Sequence, residues 1–271
     1  MSSTTLPSQP MFYLESLMET PEAHSLTNGN VVAFSRRCPG KDEPNDDCAA
    51  MVETKSGAIV LVVADGVGGC PMGYKASAIT VQAVVESVQA ADTDSNLRSA
   101  ILDGIEQANA EILDLGVGAA TTVSVVSISD GVARTYQVGD SMTLIFGQRG
   151  ALRWKSITQS PVGYAVESGL MDEIEGMHHE DRHLVSNLVG IKDMHIQIGP
   201  PQELSARDTI IVASDGLFDN LLLDEVIALG KSGKPIDRMD DLVALASNRM
   251  HRNDRDLPGK PDDLSVLLYT A

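Results

Sequence analysis

Hydrophobic spacing along the chain alternates between two rhythms. Residues 31–35 form a short apolar run that predicts a first strand, followed by a polar loop with Pro39, Gly40 and Pro44. Residues 49–53 and 59–64 predict a hairpin turned at Ser56-Gly57. The rhythm then lengthens to that of a helix. Ala78, Val81, Val84, Val85 and Val88 share a face over 75–88, and Leu97, Ile101, Ile105, Ala108 and Ile112 share one over 97–115. Strand spacing returns at 121–129, 133–138 and 142–147, the first pair turned at Asp130-Gly131 and the second at Gly139-Asp140, with a fourth strand over 151–155. Residues 160–190 have no clean period, which predicts a functional flap in which His178, His179 and His183 are solvated. A strand over 209–213, a helix over 237–250 and a strand over 265–269 complete the pattern. Helices mixed with antiparallel strands predict an α+β layered sandwich. Residues 1–28, rich in Ser, Thr, Pro and Glu, predict a loosely ordered lead-in.

Composition narrows the function classes. Hydrophobic residues at 43% and charged residues at 21% are ordinary globular values and exclude wholesale disorder. Twenty basic against thirty-eight acidic residues give a net charge of -18, which opposes binding to nucleic acid or anionic membranes but not to divalent cations. Cys38, Cys48 and Cys70 are odd in number and form no Cys-x-x-Cys pair, so neither a disulfide framework nor a zinc knuckle is indicated. With no signal-like leader and no run of membrane-span length, the expectation is a cytoplasmic, soluble protein.

The chemistry gathers at strand rims. The run at 59–64 stops at Asp65-Gly66, and the run at 209–213 stops, after Ser214, at Asp215-Gly216. The third case is reversed, because Asp262 and Asp263 precede the strand at 265–269. If that strand is antiparallel to the other two, its start lies beside their ends, and the acids meet at one edge of one sheet. Carboxylates ~4 Å apart repel by about 4 kcal/mol per pair at an effective dielectric near 20, so a hard cation is needed to hold them. All-oxygen ligation suits Mg²⁺ or Mn²⁺. Competing readings are weaker. Asp130-Gly131 reads as an ordinary turn, and Asp103-Gly104 lies inside a helical pattern. Gly66-Val67-Gly68-Gly69 misses a nucleotide fingerprint, whose third glycine falls at Pro71, and Ser214-Asp215-Gly216 is no nucleophile elbow.

Six short motifs in order then resemble a known family. They are Asn45-Asp46-Asp47, Val63-Ala64-Asp65-Gly66-Val67-Gly68-Gly69, Ala120-Thr121-Thr122, Val138-Gly139-Asp140-Ser141, the stretch from Ala213 to Asp219, and Asp262-Asp263-Leu264-Ser265-Val266. From about Val31 to Ala271 the chain resembles the metal-dependent protein serine/threonine phosphatases, the PPM or type 2C group, in their bacterial form. The resemblance implies a phosphatase domain over 29–271, built as a four-layer α-β-β-α sandwich with two central antiparallel sheets. It implies two Mg²⁺ or Mn²⁺ ions bridged by Asp65. Asp46 and the Gly66 carbonyl would complete one site, Asp215 and Asp262 the other, and Asp140 with Asp215 would hold a third ion. Asp65, Asp46, Asp215 and Asp262 would then be the catalytic acids, activating a bridging water for in-line attack with no covalent phosphoenzyme.

The chain departs from that family at two places. Asp46 is one methylene shorter than the usual Glu, and the stretch just before it contains only Lys41 where a phosphate-gripping Arg is expected. Arg37, with Arg36 as understudy, is the expected substitute, reaching back over the Pro39-Gly40 loop. Lys41 is the competing assignment, a point charge without the bidentate grip. Val67, where some relatives have a His, leaves the proton donor unassigned. The implied partner is a phosphorylated protein, a product of a Ser/Thr kinase, acted on by a monomer. The alternatives left open are a catalytically inactive domain of this fold that binds a regulatory partner, and a phosphatase for small phosphoesters.

Overall fold

The structure, a computed structural model, describes residues 9–91, 96–251 and 257–271. Five strands come first: β1 (Met11–Leu14), β2 (Glu22–Leu26), β3 (Gly29–Arg36), β4 (Asp47–Glu53) and β5 (Ile59–Asp65). Helices α1 (Gly73–Ala90) and α2 (Leu97–Asp114) follow, then β6 (Val123–Ser129), β7 (Val132–Val138), β8 (Met142–Phe146) and β9 (Leu152–Lys155). Next come α3 (Pro161–Glu167), α4 (Glu173–His178) and a 3-10 turn at Glu180–His183. The chain closes with β10 (Gln197–Ile198), β11 (Gln202–Glu203), β12 (Thr209–Ala213), α5 (Asp215–Phe218), α6 (Leu223–Gly230), α7 (Pro235–Met250) and β13 (Leu264–Thr270).

The strands form two antiparallel sheets. One runs β1-β4-β5-β6-β7-β10, with β11 also on β7; the other runs β2-β3-β13-β12-β8-β9. Strand alternation explains why the central runs are apolar on both faces. In β5, Val60, Val62 and Ala64 pack under α1 and α2 with Val81, Val84 and Ile105. Ile59, Leu61 and Val63 turn the other way and meet Ile210, Val212, Leu267 and Tyr269 of the second sheet. In that sheet Ile211, Ala213 and Val266 face the helix layer, against Val226, Met239, Leu242 and Ala246 of α6 and α7. Each fully buried aliphatic side chain contributes ~1.5–3 kcal/mol, so three parallel cores hold four layers together. This is the expected α-β-β-α sandwich.

Three expectations are corrected by the fold. Residues 9–28 are no loose lead-in, because β1 pairs with β4 and β2 pairs with β3, closing one edge of each sheet. Gly139-Asp140 is not a hairpin turn. β7 stays with β6 while β8 pairs with β12 and β9, so the chain changes sheet there. The flap at 160–190 is less irregular than its spacing predicts. Ser160 caps α3 by accepting from the Gly163 amide, with Pro161 in its first turn, and Asp172 and Glu175 form a capping box on α4. Among the described residues, no helix is long and apolar enough to cross a membrane.

Candidate active site

The acids meet where the tips of the two sheets face each other. Pairing of β4 with β5 sets Asp47 opposite Asp65, and the Gly66 amide donates to the Asp46 carbonyl at 3.0 Å. These groups belong to the first sheet. Asp215 follows β12 and Asp262 precedes β13, and those strands pair antiparallel in the second sheet. Asp140 sits on the crossing between sheets. The expectation of one edge of one sheet is therefore wrong in one respect. β12 and β13 pair as expected, but β5 lies across the sandwich from them.

Hydrogen bonds tie the two tips together. Asp47 is buried, and its Oδ2 accepts from Ser214 Oγ at 2.7 Å across the sheets. Asp263 Oδ1 accepts from the Cys38 amide and its Oδ2 from the Asp46 amide, both at 2.6 Å. The Asp65 carbonyl accepts from Thr121 Oγ1 at 2.7 Å and from the Thr122 amide at 2.8 Å. Two glycines are obligatory for steric reasons. A Cβ on Gly216 would lie 1.9 Å from the Asp263 carbonyl oxygen, and one on Gly66 would lie 2.3 Å from the Gly73 backbone.

A cavity of about 200 Å³ opens between the tips, lined by Asp46, Asp65, Gly66, Asp140, Asp215 and Asp262, together with Lys41 and Lys260. The expected ion ligands thus share one space. Burial, reinforced by Asp47, Asp215, Asp262 and Asp140, holds the Asp65 carboxyl well above its ordinary value. Burial and then Asp215 push Asp140 up to about 8, Asp262 to about 7 and Asp219 to about 6. Burial raises Asp47 too, with Asp263 adding to it and the Ser214 hydrogen bond opposing. A space that keeps this many carboxyls reluctant to ionise is short of positive charge.

Two ammonium groups supply part of it. Lys41 Nζ lies 2.6 Å from both Asp46 Oδ2 and Asp263 Oδ2. Lys260 Nζ lies 2.5 Å from Asp215 Oδ2, 2.9 Å from Asp262 Oδ2 and 3.0 Å from Asp219 Oδ2. Burial alone would lower both lysines, but their carboxylate partners outweigh it and hold them above the ordinary range. The arginines lie elsewhere. Arg36 reaches Ser247 Oγ at 2.7 Å with its guanidinium over the Phe34 ring, and Arg37 donates to the Asp42 carbonyl. Of the three candidate phosphate cations, only Lys41 lines the cavity. Lys260, Asp219 and Asp263 were missed as site residues, although Lys260 stands just two positions before Asp262 in a turn-rich stretch. His183 also lines the cavity, while His178 is exposed on α4. Beside it, α3 and α4 wall a second cavity of about 220 Å³ that reaches Asp140, Asp215 and Asp219.

The donors fit hard divalent cations. Asp215 Oδ1 is buried without a hydrogen-bond partner. Asp46 Oδ1 and the Gly66 carbonyl oxygen flank the bare Cα of Gly73, where a Cβ would sit 3.0 and 3.2 Å from them. Both features offer oxygen to a cation. Among the described residues no three His, Cys, Asp or Glu side chains already surround one point, since the carboxylates are turned onto the two lysines.

A protein phosphatase 2C-type sequence of Streptococcus pyogenes is 27% identical over 222 residues, covering 77% of this chain and 88% of its own. The phosphatase PhpP of Streptococcus pneumoniae is 28% identical over 218 residues, covering 75% and 86%. The serine/threonine phosphatase structure from S. agalactiae superposes with a TM-score of 0.75 at 25% identity, covering 89% of this chain and 98% of that one. The fold of a PstP catalytic domain, solved in complex with two manganese ions, superposes with a TM-score of 0.68 at 20% identity, covering 89% and 96%. The sequence profile described as Protein phosphatase 2C matches residues 36–250, from the end of β3 to the end of α7, with β1, β2, β13 and Asp262 outside the matched span. On that match and this constellation of acids, the chain belongs to the protein phosphatase 2C family.

Proposed function

We propose that the chain hydrolyses phosphoserine and phosphothreonine in proteins, using two Mg²⁺ or Mn²⁺ ions held by Asp46, Asp65, the Gly66 carbonyl, Asp215 and Asp262, with Asp140 available to a third. The observation that carries this reading is the crowding of reluctant carboxylates and one unpartnered buried oxygen around a single open cavity. Bound ions there would neutralise phosphoryl charge and acidify a water near neutrality. The protein's own part is positioning. Ser214 and Asp263 fix the facing tips, Thr121 and Thr122 fix the backbone at Asp65, and among the described residues no Cys or Ser nucleophile stands in the cavity lining. An inactive partner-binding domain has no evident use for carboxylates held at such electrostatic cost. Phosphopeptide hydrolysis with the metal-free protein, with and without added Mn²⁺, tests the reading. Turnover should depend on Mn²⁺ and exceed that on nucleotides; equal turnover on nucleotides would favour a small-phosphoester enzyme, and none on either substrate would sink the reading.

Lys41 is the proposed phosphate contact, because it is cationic, lines the cavity and is held in place by Asp46 and Asp263. A hydrogen bond from a charged group is worth ~1.5–3 kcal/mol, so Lys41→Ala should lower kcat/KM on a phosphopeptide by roughly one to two orders of magnitude. Arg37→Ala should behave as wild type. The reverse pattern would return the role to Arg37.

A further inference from the structure

Lys260 is placed by more than the pull of its carboxylates. Its amide donates to Asn220 Oδ1 at 2.8 Å, and its carbonyl accepts from Asn220 Nδ2 at 2.9 Å. Asn220 is fully buried, also donates to the Gly216 carbonyl, and has its own carbonyl held by Arg249 Nη1 at 2.8 Å. The backbone of Lys260 is therefore clamped to the segment that carries Asp215 and Asp219. From that fixed root the ammonium enters the cavity and meets three carboxylates within 3.0 Å. Both oxygens of Asp262 are already engaged, Oδ2 by Lys260 and Oδ1 by the Asp263 amide. At Asp215 only Oδ1 is left without a partner. The other half of the site differs, since Asp46 Oδ1 and the Gly66 carbonyl remain side by side at Gly73 while Lys41 takes Asp46 Oδ2.

We propose that Lys260 is a tethered competitor for the metal: its ammonium occupies the Asp215–Asp262 half of the site in the metal-free protein and must withdraw before a divalent ion binds there. The inference rests on the metal-dependent reading above and adds to it an unequal loading of the two halves. The half at Asp46 and Gly66 fills first. The half at Asp215 and Asp262 fills at higher metal concentration, because the ion must break charge-assisted hydrogen bonds that a free lysine in solution would not offer. Availability of the ion would then set how much of the enzyme is fully loaded.

The test is calorimetric titration of the metal-free full chain with Mn²⁺, in wild type, Lys260→Met and Lys260→Arg, with melting temperatures in chelator. Methionine keeps an apolar stem of similar length and removes the charge. Lys260→Met should bind Mn²⁺ at the weaker site at least tenfold more tightly, while its melting temperature in chelator falls because the carboxylates lose their internal cation. Lys260→Arg, which keeps the charge, should stay close to wild type in affinity and so separates competition from a disturbed fold. Unchanged or weaker Mn²⁺ affinity in Lys260→Met, beside normal two-site binding in wild type, overturns the competitor alone. Absence of Mn²⁺ binding in all three proteins overturns the metal-dependent reading beneath it as well.

Discussion

Asp65→Asn should cut phosphopeptide turnover by roughly a hundredfold to a thousandfold, while making the metal-free protein harder to melt. Both effects come from one charge. Asp65 ends β5 and lines the same cavity as Asp215 and Asp262, and it is the side chain that would be shared by both proposed ions. Removing its charge would weaken both proposed ions together, and loss of preorganised charge stabilisation of this kind costs ~10²–10³-fold. In the metal-free protein the same carboxyl is buried among Asp47, Asp215, Asp262 and Asp140, so asparagine relieves a repulsion. Turnover and melting temperature in chelator should therefore move in opposite directions. Near-normal turnover at saturating Mn²⁺ would remove the bridging role.

The second large effect concerns pH. Asp65, Asp140, Asp219 and Asp262 all titrate above their ordinary values in the folded chain. A raised acid means that the folded state retains protons the unfolded chain has released, so stability falls as pH rises. The loss begins above the ordinary aspartate range and proceeds through about 6 for Asp219, about 7 for Asp262 and about 8 for Asp140. In chelator the melting temperature should drop by roughly 5 °C or more between pH 5.5 and 8.5. Saturating Mn²⁺ should remove most of that drop, because the ions favour the ionised carboxylates. A melting temperature in chelator that is flat or rising over this interval would contradict the electrostatics assigned to the cavity.

The sequence reveals element types well and their grouping poorly. The continuous apolar run at 59–64 and the helical face of Leu97, Ile101 and Ile105 are local properties, and each forms the element expected of it. The rim position of Asp65, Asp215 and Asp262 is also local, so the acids were legible one by one. Which sheet a strand joins depends on packing between layers, and the turn at Gly139-Asp140 looks the same whether the chain folds back or crosses over. β2 escaped notice because an edge strand reading Glu-Ala-His-Ser-Leu has little apolar signal. Lys260 escaped for a different reason. Its role comes from Asn220 and from three acids that chain folding brings to it, and no spacing rule links those positions. The helices at 160–190 were missed despite legible signs in Ser160-Pro161 and in Asp172 with Glu175.

Because the proposed ligands come from both sheets, the apolar layer between them would act as a calliper for the ions. Ile59, Leu61, Val63, Ile210 and Val212 carry no functional group, yet their bulk sets how far apart the two tips stand. Mg²⁺ demands shorter and more regular oxygen contacts than larger divalent ions. On the proposed reading the choice among ions would be partly delegated to hydrocarbon, and drift in that layer among relatives would retune the preferred ion while every carboxylate stays in place.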